Sequence, residues 1–293
     1  MIFPVWAIFS LGVAVFSATM LLLQERYKVD GFALSFWNKV ACAVVMLPFV
    51  IYHGLPDDIL FYAFLFLSAL VWCVSDVIFF RVVPEVGAGV ISRVMPSSVI
   101  FGFLVWFIVR PGDIALYAGH PWIAGMIAAV LALWAYCAMH LRHCPVSVQA
   151  VRKMWLVLAV NAVGPSISKL ATEHADAAQG AYGYVFVEAV MMLGLWTAFF
   201  FVQKKIKPAV LIKNHAWRHG PLIGVVSSLM VLSSISAIYR VDNPAYPMTV
   251  HFLDTVLILC AYRLMKRKRE ENVWAGMGMV VCAAIIVLLR AQL

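Results

Sequence analysis

Ten runs of mostly apolar residues follow one another along the chain, at about 2–23, 32–52, 58–79, 86–109, 119–140, 154–172, 182–202, 219–239, 246–265 and 273–290. Each is long enough for a helix to cross a hydrocarbon layer of about 30 Å. None shows the strict alternation of a barrel strand. The pattern predicts an all-α integral membrane protein of ten transmembrane helices. The connections are short and leave no room for an inserted soluble domain. The longest lie near Cys144-Pro145 and from Gln203 to Arg218, each with room for a short interfacial segment. The first run lacks a basic start and a small-residue cleavage site, so it reads as a spanning helix rather than a removable signal.

Composition supports the same solvent. Hydrophobic residues make up 64% of the chain and charged residues 12%, against roughly 25% charged in a soluble domain. With lipid outside, backbone polar groups must be satisfied within each segment, which favours helices. The net charge of +8 sits in short clusters between apolar runs. It does not form the continuous basic face that counterion release from nucleic acid requires, so no nucleic-acid partner is expected. Six cysteines (Cys42, Cys73, Cys137, Cys144, Cys260, Cys282) show no C-x-x-C spacing. Neither a disulfide framework, a metal site nor a cofactor is indicated.

Charge placement divides the chain. Connections after odd-numbered runs carry Arg26, Lys28, Arg81, Arg142, Arg152, Lys153, Lys204, Lys205, Lys207, Lys213, Arg218, Arg263, Lys266, Arg267, Lys268 and Arg269. Even-numbered connections and the termini carry only Arg110, Arg240 and Arg290. The connection between runs 2 and 3 has no Lys or Arg, whereas its counterpart between 7 and 8 has five. Equivalent loops of opposite bias are what an inverted repeat requires. Residues 1–142 and 150–293 are therefore expected to form two inverted five-helix repeats of one membrane domain. The positive-inside rule puts the odd connections in the cytoplasm and both termini outside.

Charges within spans are costly and mark a pathway or a paired site. Lys39 and Asn38 in the second run, with Trp37 beside them, face Tyr184 and Glu188 in the seventh as pseudo-symmetric mates. An ion pair between Lys39 and Glu188 is expected, either as a static bridge or as one that switches partner. Arg93 lies three residues before Pro96 in the fourth run and is the leading candidate for an anionic group. Serines and Arg93 are expected to satisfy the carbonyls that Pro96 frees. Asn161 with Gly164-Pro165 suggests a discontinuous sixth helix, and Lys169 stands near its end. His251 and Asp254 form an i, i+3 pair in the ninth run. Asp254, Glu188 and His251 are the proton-coupling candidates. Asp76 and Arg81 in the third run point to different faces, and Arg81 snorkels. Runs 5 and 10 are nearly free of charge and read as outer scaffold. Runs 1–4 and 6–9 should line the interior.

Together these features resemble the EamA-like branch of the drug/metabolite transporter superfamily. Lys39 stands where that family often has a basic residue in its second helix. Phe80-Arg81 through Gly87-Ala88-Gly89 to Pro96 is similar to its third-to-fourth helix pattern, echoed by Ala237 to Arg240 and Ala245 to Asp254. Trp122-Ile-Ala-Gly125 and Trp274-Ala-Gly276 open runs 5 and 10 as the family's Trp-x-Gly does. The chain departs from the pattern in lacking a proline near Asp254 and a clear glutamate before run 5. The resemblance covers the whole chain and implies alternating access around a cavity between the halves. It also implies cytoplasmic termini, contrary to the charge count.

The expected activity is secondary-active transport, with proton coupling as a further expectation. The expected substrate is a small metabolite, an amino acid or a small organic anion or zwitterion. Export or flipping of amphipathic drugs or lipid-linked species is the alternative. An intramembrane enzyme is disfavoured because H-E-x-x-H, G-x-S-x-G and paired aspartates are missing. A non-transporting subunit would not need a polar interior. The expected partners are the substrate and the bilayer, with a homodimer allowed, and the expected location is multi-pass in a bacterial inner membrane.

Overall fold

The computed structural model describes residues 4–140, 148–203, 208–266 and 273–290, and within them the regular secondary structure is entirely helical, α-helices with short 3-10 turns joined by brief connections. Ten long helices follow the apolar runs. They are α1 (Val5–Tyr27), α2 (Gly31–His53), α3 (Ile59–Val86), α4 (Ala88–Val109), α5 (Pro121–Met139), α6 (Val148–Thr172), α7 (Ala177–Gln203), α8 (Ala216–Tyr239), α9 (Ala245–Leu264) and α10 (Val273–Arg290). Among the described residues nine of these are long and apolar enough to cross a membrane, and α10 contributes the shorter apolar helix Trp274–Leu289. The chain is a multi-pass integral membrane protein by helix length and hydropathy. Arg142, Lys204, Lys205, Lys207, Arg267, Lys268, Arg269 and Cys144 lie outside the described residues.

Local sequence explains where the helices stop. Asp30 caps α2 by accepting from the backbone N–H of Phe32 and Ala33 at 3.0 and 3.1 Å. Asp58 caps α3 through Leu60 at 2.9 Å. That N–H, then a hydrogen bond with His174, holds the Asp58 carboxyl below its ordinary range. One residue separates α3 from α4. Gly87 has φ +89°, a backbone conformation that side chains disfavour and glycine accepts, so the chain reverses there within a single residue.

Contacts between helix ends show the alternation of direction. Lys153 at the start of α6 meets Glu85 at the end of α3 at 2.6 Å, and Tyr27 at the end of α1 stacks on His219 at the start of α8. At the other end of the bundle, Gln179 of α7 donates to His53 O at the close of α2, His174 pairs with Asp58, and Arg110 pairs with Glu173.

The major helix pairings link the first five helices to the last five. Helix α1 packs on α8 and α9, α2 on α7 and α8, α3 on α6 and α7, and α4 on α6. Close approach follows from glycine. A Cβ on Gly224 would lie 2.6 Å from Ala41 Cβ and 2.9 Å from Asn38 Cα, so α8 touches the α2 backbone. Helices α5 and α10 pack against each other, with Gly278 against Cys137, and Trp122 and Trp274 remain exposed on them.

Two expectations about helix continuity change. Helix α6 is continuous through Pro165, and Gly164 is instead a packing site, where a Cβ would come within 2.7 Å of the Trp72 ring. The interruptions fall in α4, as a 3-10 turn at Met95–Ser97, and in α9, between His251 and Asp254. The pair expected on one continuous helical turn therefore straddles a break.

Candidate functional site

A cavity of about 170 Å³ lies inside the bundle, with several times the room that one water requires. All eight helices α1–α4 and α6–α9 contribute to its wall, and α5 and α10 do not. This is the division expected from the placement of charge along the chain. Of the candidate residues, Asn38, Lys39, Asn161, Tyr184, Glu188, His251 and Asp254 line the cavity. Asp76 joins them, and so do several serines.

Two polar centres occupy the wall. The first is built around Lys39, whose Nζ lies 3.4 Å from Glu188 and 3.7 Å from Asp76. The expected Lys39–Glu188 pair forms, with Asp76 as a second partner. Glu188 is held from its other oxygen, which accepts from Ser68 at 2.7 Å and from Tyr184 at 3.1 Å. The Tyr184 hydroxyl lies 2.8 Å from both Ser68 and Ser168. Helices α2, α3, α6 and α7 are thus joined through one buried carboxylate. A buried ion survives when its remaining lone pairs are satisfied in this way.

The second centre is Asp254 at the break in α9. Its Oδ2 accepts from Ser17 of α1 at 2.6 Å. Thr255 Oγ1 lies 3.3 Å from Oδ1 but 2.7 Å from the Ser92 carbonyl. That carbonyl belongs to the residue four before Pro96, so proline's missing N–H leaves it without its helical donor. Thr255 supplies one from α9. The proline in α4 therefore fixes α4 to α9 beside the carboxylate. Ser97 and Ser98 bond the Val94 and Met95 carbonyls three residues back at 2.7 and 2.8 Å and Arg93 bonds Gly89 O, so the freed Ser92 carbonyl is met by Thr255 and not, as the sequence suggested, by a serine or arginine of α4. His251 is half-buried, lines the cavity and stacks on Phe252.

Three candidates lie elsewhere. Arg93 is 2% exposed and is not among the residues lining the cavity. Its Nε donates to Gly89 O one turn back at 3.1 Å. Trp37 donates to Leu211 O at 2.8 Å and packs against Gly220, which makes it an α2–α8 contact outside the wall. Lys169 donates to Tyr239 O at 3.3 Å near the end of α8 and is also outside the wall. Sequence reasoning did not single out Ser17, Ser68, Ser92 or Thr255 as site residues. Serine and threonine are frequent in spanning helices, and only the partner across the bundle distinguishes these four.

No protein-family model matches the chain, and no curated protein matches it. Among solved structures, one described only as "Crystal structure of protein" superposes with a TM-score of 0.55 at 13% identity, over 96% of this chain and 99% of that one. The likeness extends over nearly the full length of both chains, and at this identity it concerns the fold alone.

Proposed function

We propose that this protein is a secondary carrier that moves a small solute across the bilayer by alternating access. The observation that carries the reading is the cavity itself. Eight helices drawn from both halves surround it, and its wall holds four buried or half-buried charged groups that are costly within a membrane. The scaffold pair α5 and α10 stays outside. A purely structural bundle gains nothing from such an interior.

The helix pairings support two inverted repeats. Exchanging each helix with the one five places later turns α1 on α8 and α9 into α6 on α3 and α4. It turns α2 on α8 into α7 on α3, and it leaves α2–α7 and α5–α10 unchanged. All of these pairings occur. An odd number of helices per repeat sets the mates in opposite directions, the arrangement from which alternating access arises by rocking one unit against the other. The EamA-like resemblance agrees with this reading. An anion at Arg93 is less well supported, since Arg93 and Lys169 stand outside the wall.

The test is flux. Proteoliposomes holding the full chain would be incubated with a mixture of amino acids, organic acids and amines, and the retained solutes identified by mass spectrometry. A solute accumulated above the level of protein-free liposomes, and lost on Lys39→Met, is expected. No accumulated solute with a folded protein would remove the carrier reading.

A further inference from the structure

The charges that line the cavity do not balance. Asp76, Glu188 and Asp254 face a single ammonium, that of Lys39. Lys39 is within 4.0 Å of Asp76 and Glu188, so its charge is committed to the first centre. No ion pair reaches Asp254 among the described residues, although Asp254 is 3% exposed. Its carboxylate accepts from Ser17 at 2.6 Å, with the Thr255 backbone N–H and hydroxyl as further neutral donors. Thr255 has a single hydroxyl proton, with the Ser92 carbonyl nearer than Asp254.

A buried carboxylate in this setting needs a countercharge or a proton. The wall also holds two hydroxyls without a hydrogen-bond partner among the described residues, Ser75 Oγ and Ser92 Oγ. Both residues are 1% exposed or less. Unsatisfied buried hydroxyls call for an explanation, and a ligand carrying several N–H donors supplies one. The apolar part of the wall includes Trp72, Phe79, Phe80 and Phe252, and aromatic faces attract cations.

We propose that the cavity binds an organic monocation, an amine whose ammonium seats at Asp254 and whose apolar body lies along the aromatic wall. A proton competes for the same carboxylate. The inference deepens the carrier reading and rests on it for transport, though not for binding. The other titratable groups in the wall are His251 on the same helix, Lys39, Asp76, Glu188 and Tyr184. Helices α1 and α4, packed against this part of α9, bring Ser17 and Ser92, with Arg93 buried next in sequence to Ser92.

Three probes share one ring and differ in charge: phenethylamine, 3-phenylpropionate and phenylalanine. Thermal unfolding of the purified full chain would be followed with each, since a ligand of the folded state raises its stability. Phenethylamine should stabilise, phenylpropionate should not, and the phenethylamine shift should vanish in Asp254→Asn. In the wild-type protein, the apparent affinity for phenethylamine should weaken on lowering the pH, by up to about tenfold per unit for one competing proton. That measurement decides the matter even if the variant fails to fold. Stabilisation by phenylpropionate in preference to the amine, no response to the amine, or undiminished amine binding by a folded Asp254→Asn would overturn the proposal. Amine binding without flux in proteoliposomes would remove the carrier reading and leave the site standing. Flux of another solute with no amine binding would do the reverse.

Discussion

At the scale of single residues, the Lys39 centre shows how a charge is kept inside a bundle. Lys39 is 6% exposed and Glu188 4% exposed, and neither would be tolerated alone. Removing one partner of a buried pair typically costs about 3–5 kcal/mol, because the other charge is left uncompensated. Lys39 has two carboxylate partners, so the two halves of the bridge are not equivalent. Glu188→Gln leaves Lys39 with Asp76 and keeps an acceptor for Ser68 and Tyr184. Lys39→Met leaves both Asp76 and Glu188 without their cation. We therefore expect Lys39→Met to lower the unfolding temperature more than Glu188→Gln, and the double variant to recover some of the loss. Equal shifts in the two single variants would mean that Asp76 does not share the ammonium. This pair was legible in the sequence, because two charges of opposite sign at matching depths of matching helices have few other places to go. Arg93 was less legible. An arginine one turn before a proline reads equally well as a ligand or as a group buried beside its own helix, and the residue types alone do not choose between them.

At the scale of helices, the apolar runs fix number and order, and small residues fix how closely the helices approach. The boundaries differ where capping acts: α3 extends to Val86 through Pro84 and is stopped by Gly87, beyond the end of the apolar run near residue 79. The breaks are harder to read. Pro165 leaves α6 continuous, whereas α9 is interrupted at Phe252-Leu253 without a proline there. A proline marks a missing donor, yet whether the helix opens depends on what packs around it. Glycines give a sharper test. Gly224 holds α8 against Asn38 and Ala41 of α2, with a backbone atom 2.9 Å from the position a Cβ would take. Gly224→Ala must push α8 away from α2, both of which line the cavity, at a cost of about 1–3 kcal/mol. A Cβ on Gly194 of α7 meets nothing within 4 Å, so Gly194→Ala should be neutral or gain up to about 1 kcal/mol from helix propensity. Thermal unfolding of both variants in the same detergent checks this, and a neutral Gly224→Ala would show that the α2–α8 contact can relax.

At the scale of the whole molecule, the distribution of basic residues bears on orientation. The helix ends carrying Arg26, Arg81, Arg152, Lys153, Arg218 and Arg263 belong to one end of the bundle, the end where Lys153 meets Glu85 and Tyr27 stacks on His219. At the opposite end Arg110 is paired with Glu173, and Arg240 lies 4.9 Å over the Phe9 ring while donating to its own helix at Ser236. These two are held locally, and Lys169 at the same end donates to the Tyr239 carbonyl. Retention of Lys and Arg loops in the cytoplasm would therefore put the Arg26 end inside and both termini outside. The family resemblance implies the opposite orientation. Single cysteines in a background lacking the native ones separate the two: Asp57→Cys, exposed at the Arg110 end, and Arg26→Cys, exposed at the other. In intact cells a membrane-impermeant maleimide should label Asp57→Cys at once and Arg26→Cys only after permeabilisation. The reverse pattern would turn the molecule over with its fold unchanged, and would mean that charge bias here follows the pairing of the halves rather than the membrane's positive-inside rule.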